Sequence, residues 1–152
     1  MRQPLEKSLR ARALEALARR EYSRVELARK LAVHAVDEVA LEQLLDNLQS
    51  RGWLSDARYA EQRANSRQSR YGGQKIAYEL RQQGVAETLI SATLATLECT
   101  ETDRARHVWE KKFGAVATTA KQRGQQIRFL QSRGFDLEVI YQVINGHGNT
   151  AT

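Results

Sequence analysis

The sequence predicts an all-α protein in which three tandem three-helix repeats form an elongated, curved helical array. Three observations predict this. The first is composition: hydrophobic residues make up 41% and charged residues 28%, with one proline, Pro4, and an abundance of Ala, Leu, Arg, Gln and Glu, which favour helix. The second is spacing. Leu41, Leu44, Leu45 and Leu48 fall at i, i+3, i+4 and i+7, laying one apolar stripe along a helix face. The third is recurrence: the stripe returns 49 residues later as Ile90, Thr93, Leu94 and Leu97, and 50 residues beyond that as Ile140, Val143 and Ile144.

Repeat 1 is expected over residues 1–54, repeat 2 over 55–99 and repeat 3 over 100–146, with a flexible tail at 147–152. The first helix of repeat 1 spans about Leu5 to Arg20, with Leu9, Ala13 and Leu17 on one face. A short middle helix starts at Ser23, which stands in capping-box spacing with Glu26, and Asp37 is placed to cap the third helix. Leu31, Leu80 and Leu130 hold one register in the three middle helices, and Val36, Val85 and Phe135 follow five residues on. Gly84 and Gly134 precede the last two, where a left-handed glycine ends a helix; Ala35 in repeat 1 requires a different turn. The remaining first helices are expected from about Ser55 to Arg70 and Glu101 to Phe113.

A single repeat buries too little apolar surface to stand alone, so stacked neighbours are expected to complete one another's cores. Gln126 occupies the position of Leu27 and Ile76, which weakens the inner packing of repeat 3 or shifts it onto Ile127. Trp53, Tyr59 and Trp109 are expected as packing anchors and Cys99 as a small buried thiol.

The net charge is +6 and the pI about 9.8, which suits a polyanion or an acidic protein surface. The charge is uneven. Arg58 to Arg81 holds six basic residues against Glu61 and Glu79, and Arg104 to Arg133 holds eight against Glu110 alone. Neither a long apolar span nor a signal-like start is present, so a cytoplasmic protein with no membrane partner is expected. His34, His107 and His147 lie in different repeats and outside any metal-binding spacing. Gly72, Gly73, Gln74 and Lys75 look like a phosphate loop, but Ile76 stands where that loop needs Ser or Thr. Without a paired-carboxylate or nucleophile constellation, the reading is a binding protein, neither an enzyme nor a cofactor carrier.

The most informative segment is GWLSDARYAEQRANSRQSRYGGQKIAYELRQQGV, Gly52 to Val85. Arg63, Arg67 and Arg70 are spaced i, i+4 and i+7, with no acid between Gln62 and Tyr78, so they read as an unneutralised helical row. Tyr71, Gly72 and Gly73 make a turn and Lys75 opens the next helix.

This segment resembles the RecX family of bacterial recombination regulators. The resemblance lies in Gly52, Trp53, Leu54, Asp56, Arg58, Tyr59 and Ala60, then Arg67, Tyr71, Gly72, Lys75 with Ile76, Glu79 with Leu80, and Gly84 with Val85. Phe129, Leu130, Arg133, Gly134 and Phe135 are similar to the family's closing Phe-Leu-x-x-Arg-Gly-Phe signature, and Tyr22 to Leu31 to its first repeat. Lys75 stands where the family usually has arginine.

The resemblance implies a protein that binds the RecA filament on single-stranded DNA in its helical groove and suppresses strand exchange, ATP hydrolysis and filament growth; a monomer is expected. The candidate face comprises Arg63, Arg67, Arg70, Lys75 and Arg81 in repeat 2, with Lys111, Lys112, Arg123, Arg128 and Arg133 in repeat 3. Two rival readings are a tandem helix-turn-helix reader of duplex DNA and a helical scaffold for another acidic protein.

Overall fold

The computed structural model describes residues 7–97 and 99–146; among these the chain forms nine α-helices and no strand. Three triplets follow one another: α1 (Leu9–Arg19), α2 (Arg24–Ala32) and α3 (Glu38–Ser50); α4 (Asp56–Arg67), α5 (Gly73–Gln82) and α6 (Glu87–Ala95); α7 (Glu101–Lys112), α8 (Ala120–Ser132) and α9 (Leu137–Gly146). Polar side chains set most of the starts. Ser8, Ser55 and Thr100 each accept from the amide three residues on, at 3.1–3.2 Å, so the three first helices share one cap. Ser23 accepts from the Glu26 amide at 3.0 Å and Asp37 from the Val39 amide at 3.0 Å, as their spacing predicts.

Four helices end on left-handed glycines: Gly52 (φ 77°), Gly84 (φ 74°), Gly114 (φ 66°) and Gly134 (φ 89°). At three of them the next residue donates back into the last turn, Trp53 to Leu48, Val85 to Leu80 and Phe135 to Leu130; after α7 Gly114 itself donates to the Trp109 carbonyl at 3.3 Å. The α2–α3 turn of repeat 1 contains no residue with positive φ, in keeping with Ala35.

Apolar burial is segmented. Leu27, Leu31, Leu45, Leu48 and Leu54 centre the first core; Tyr59, Ile76, Leu80, Val85 and Ile90 the second; Trp109, Leu130, Phe135, Ile140 and Val143 the third. The expectation of cores completed by neighbours is therefore corrected: each repeat closes its own, and the main helix packing lies within triplets.

Other expectations are also corrected. Val36 is fully exposed because the glycine-free turn does not fold it back as Val85 and Phe135 are folded. Trp53 is 43% exposed, with the Arg10 and Arg51 guanidiniums each 5.4 Å from its ring, while Leu54 is buried. Cys99 is exposed in the α6–α7 connection. Gln126 is buried in the third core, where its amide accepts from Trp109 Nε1 at 2.9 Å and donates to the Ala115 carbonyl at 3.1 Å. That position therefore holds a bonded polar group inside the core, and Ile127 packs against the core partly buried. His147 and the tail lie outside the described residues.

Polar and backbone contacts join the repeats, and the two junctions share a device. Asp56, first residue of α4, accepts from the Arg24 amide at the start of α2 at 2.8 Å; Glu101, first residue of α7, accepts from the Gly73 amide at the start of α5 at 2.9 Å. An acid opening one repeat thus satisfies a free amide at the start of the preceding middle helix. At the first junction Gly84 packs tightly against Val25, and Arg29 donates to the Gln82 carbonyl at 3.3 Å. At the second, Gly72 N–H donates to the Arg133 carbonyl at 2.8 Å and Gln74 N–H to the Gly134 carbonyl at 3.1 Å. Arg104, buried there, donates to the Gln68 carbonyl at 3.1 Å and the Tyr71 carbonyl at 2.9 Å. Burial holds its guanidinium below the ordinary arginine range, against the opposing pull of Glu101.

Candidate cationic docking site

The second junction gathers a cluster of cations that form no ion pair among the described residues. Helix α4 ends at Arg67, so Arg70 lies in the turn after it, and the expected continuous arginine row is broken. The row is also not unneutralised. Glu79 on α5 lies 3.7 Å from Arg63 and 3.3 Å from Arg67, close enough to attract both, although neither Arg63 Nε nor Glu79 Oε2 makes a hydrogen bond.

The turn after Arg67 carries Tyr71, whose amide donates to the Arg67 carbonyl at 3.0 Å. Three cations surround its ring: Lys75 Nζ at 4.6 Å, Arg133 Cζ at 5.3 Å and Arg67 Cζ at 5.5 Å from the centroid. Arg133 also lies 5.1 Å from the centre of Phe129, and Lys112 Nζ lies 5.4 Å from the same ring. Phe113 holds Phe129 edge to face at 5.4 Å. Two aromatic faces therefore offset part of the repulsion among like charges that share few acids.

Beside them runs a cleft of about 460 Å³, lined by Val108 and Phe129, by Arg70, Lys111, Lys112 and Arg133, and by Ser69 and His107. Arg70, Lys75, Lys111, Lys112 and Arg133 form no ion pair among the described residues. Such a surface can hold several anionic oxygens while presenting π-faces to a planar or apolar group.

Of the ten residues expected on the face, six converge here: Arg67, Arg70, Lys75, Lys111, Lys112 and Arg133. Arg63 joins them through Glu79. Arg81 is instead paired with Glu87 in the last turn of α5, and Arg123 donates to Asn145 Oδ1 at 2.8 Å; Arg128 is exposed beside Gly124. Tyr71, Phe129 and His107 belong to the arrangement but were absent from the expected face. For the first two the signal was present, since each sits in a stretch dense in basic residues.

Sequence models of the second and third three-helix domains of RecX match residues 55–94 and 100–144. The chain belongs to the RecX family. A regulatory protein RecX of Leptothrix cholodnii is 44% identical over 149 residues, covering 94% of this chain and 95% of the relative. One from Ralstonia nicotianae is 45% identical over 147 residues, covering 95% and 90%. The crystal structure of RecX from Lactobacillus salivarius matches in fold, with a TM-score of 0.79 at 17% identity over 91% of this chain and 93% of that one. These relatives are named regulatory proteins. Within this RecX-family chain, the Tyr71-Gly72 and Arg133-Gly134-Phe135 segments, through which the sequence resembles the family, meet at the second junction.

Proposed function

We propose that this chain is a cytoplasmic, non-enzymatic negative regulator of RecA that binds the RecA filament on single-stranded DNA and suppresses its growth, ATP hydrolysis and strand exchange. The observation that carries this reading is the convergence of Arg70, Lys75, Lys111, Lys112 and Arg133 with Tyr71 and Phe129, with no ion pair to those five cations among the described residues. A rigid series of repeats carrying such a surface suits a polyanionic filament whose groove itself repeats. Arg67, with Arg63 behind it, extends the surface along α4. Arg123 and Arg128 on α8 supply weaker, peripheral charge.

The test is RecA-dependent ATP hydrolysis on single-stranded DNA, titrated with the wild-type chain and with R70E/K111E/K112E. All three positions are exposed, so helicity and melting temperature should stay unchanged. The half-inhibitory concentration should rise about tenfold or more through lost charge complementarity. Full inhibition by the folded triple variant would overturn the reading. In the same titration, loss of hydrolysis far below one chain per protomer indicates capping of growing ends, and loss near saturation indicates coating of the groove.

A further inference from the structure

The first helices of the three repeats align on their caps, Ser8, Ser55 and Thr100. Four residues after the cap stand Arg12, Tyr59 and Arg104. One of these positions engages the preceding repeat through hydrogen bonds, Arg104 holding the Gln68 and Tyr71 carbonyls, while Tyr59 is buried in the second core. Arg12 has no preceding repeat among the described residues, and its buried Nε has no hydrogen-bond partner. A buried N–H without an acceptor is costly, and the rest of the half-buried Arg12 guanidinium can take acceptors from the cleft it lines.

Arg12 lines a cleft of about 280 Å³ on repeat 1 together with Arg19, Lys30, His34 and Tyr22. Glu15 also lines it and pairs with Lys7 at 2.7 Å; Arg12, Arg19 and Lys30 form no ion pair among the described residues. Beyond His34, Val33 and Val36 are 81% and 104% exposed. Repeats 2 and 3 dock through a leading acid and a glycine turn, Asp56 with Gly84 and Glu101 with Gly134, where repeat 1 has Leu9 and Ala35.

We propose that this cleft docks an acidic polypeptide segment of a partner protein, whose carbonyl or carboxylate oxygens meet Arg12 as Gln68 and Tyr71 meet Arg104. The planar guanidinium suits two oxygens at once, Arg19 and Lys30 supply the complementary charge, and Ala16, Tyr22 and Leu31 give the cleft an apolar lining. The parallel with main-chain carbonyls at Arg104, and this apolar surface, favour a polypeptide over a phosphate backbone. The site is separate from the surface proposed to bind the filament, and its test does not involve RecA.

A fluorescein-labelled octaglutamate peptide is titrated into the full chain carrying R70E/K111E/K112E, which reverses three charges of the second-junction surface and so weakens its competition for the peptide, with fluorescence anisotropy as readout. Binding is expected, weakened about tenfold or more by adding R19E/K30E and also weakened by Arg12→Lys, which keeps the charge and loses the fork. In the wild-type chain the Arg12 Nε–Hε NMR resonance should shift on peptide addition and stay still in R19E/K30E. Circular dichroism verifies the fold of each variant. No binding, binding indifferent to R19E/K30E, or an unmoved Arg12 resonance overturns the proposal. A single-stranded oligonucleotide that displaces the peptide at equal concentration also overturns it, assigning the cleft to nucleic acid.

Discussion

Gly72 and Gly134 meet backbone to backbone at the second junction. The Gly72 amide donates to the carbonyl immediately before Gly134, and a Cβ on Gly72 would stand inside contact distance of the Gly134 carbonyl oxygen. A Cβ on Gly134 would lie 2.6 Å from the Lys75 backbone nitrogen, at a φ of 89° that side chains rarely adopt.

Replacing either glycine by alanine should therefore force the repeats apart. Gly72→Ala or Gly134→Ala is expected to cost about 2–4 kcal/mol, the range of overpacking combined with backbone strain. Gly52→Ala is the control: its φ is 77°, but nothing lies within 4 Å of the added carbon, so about 1 kcal/mol is expected. Urea denaturation of the three variants checks the order. Equal losses at Gly52 and Gly72 would show that close approach contributes nothing.

Gln126 supplies a second test of packing. Gln126→Leu restores the apolar residue of the other two repeats, yet it removes the acceptor at Trp109 Nε1 and the donor at the Ala115 carbonyl. The variant should lose about 1–2 kcal/mol despite its greater hydrophobicity. Denaturation followed by tryptophan fluorescence measures this, and a more stable variant would mean that the polar pair is dispensable.

The nine helices were legible because apolar spacing is a local signal, and Ser23, Asp37 and Ser55 mark their own helix starts. Partners from distant chain segments were not legible. Arg63 and Arg67 read as unneutralised because the acid that faces them, Glu79, belongs to the next helix and is brought close by the turn at Gly72. Gly84 and Gly134 announced a left-handed turn, but not that Val25 and Lys75 would lie against them. Trp53 read as core from its size; two arginines from separate helical segments hold it at the surface instead. For the same reason, ten basic residues could be named while only six proved to be neighbours.

Arg81 is the clearest of those left outside. Its hydrogen bond and charge hold the exposed Glu87 carboxyl below the usual carboxylate range. A depressed carboxyl pKa contributes stability above the unfolded value, near 4.5, and loses it as the pH falls through the folded value. Carbon-13 NMR should show Glu87 titrating below 4.5 in the wild type and closer to it in R81Q. R81Q should inhibit RecA as the wild type does. A marked loss of inhibition would return Arg81 to the binding surface.

Glu79 allows a test in the direction of gain. It lies within 4 Å of both Arg63 and Arg67, and it belongs to the Glu-Leu pair through which the chain resembles its family. Removing its charge with Glu79→Gln leaves two guanidiniums without a counter-charge at the edge of the cationic surface. Because the ion pairs lack a hydrogen bond at Arg63 Nε and Glu79 Oε2 and are partly solvated, the stability cost should stay below about 1 kcal/mol. Inhibition of RecA should strengthen about two- to fivefold at low salt and the gain should shrink as salt is added, since the new attraction is screened over a Debye length. The measurement is the half-inhibitory concentration at several ionic strengths. If Glu79→Gln instead weakens inhibition at every salt concentration, the carboxylate serves to hold Arg63 and Arg67 in a binding geometry, and its contribution is positional rather than a brake on charge.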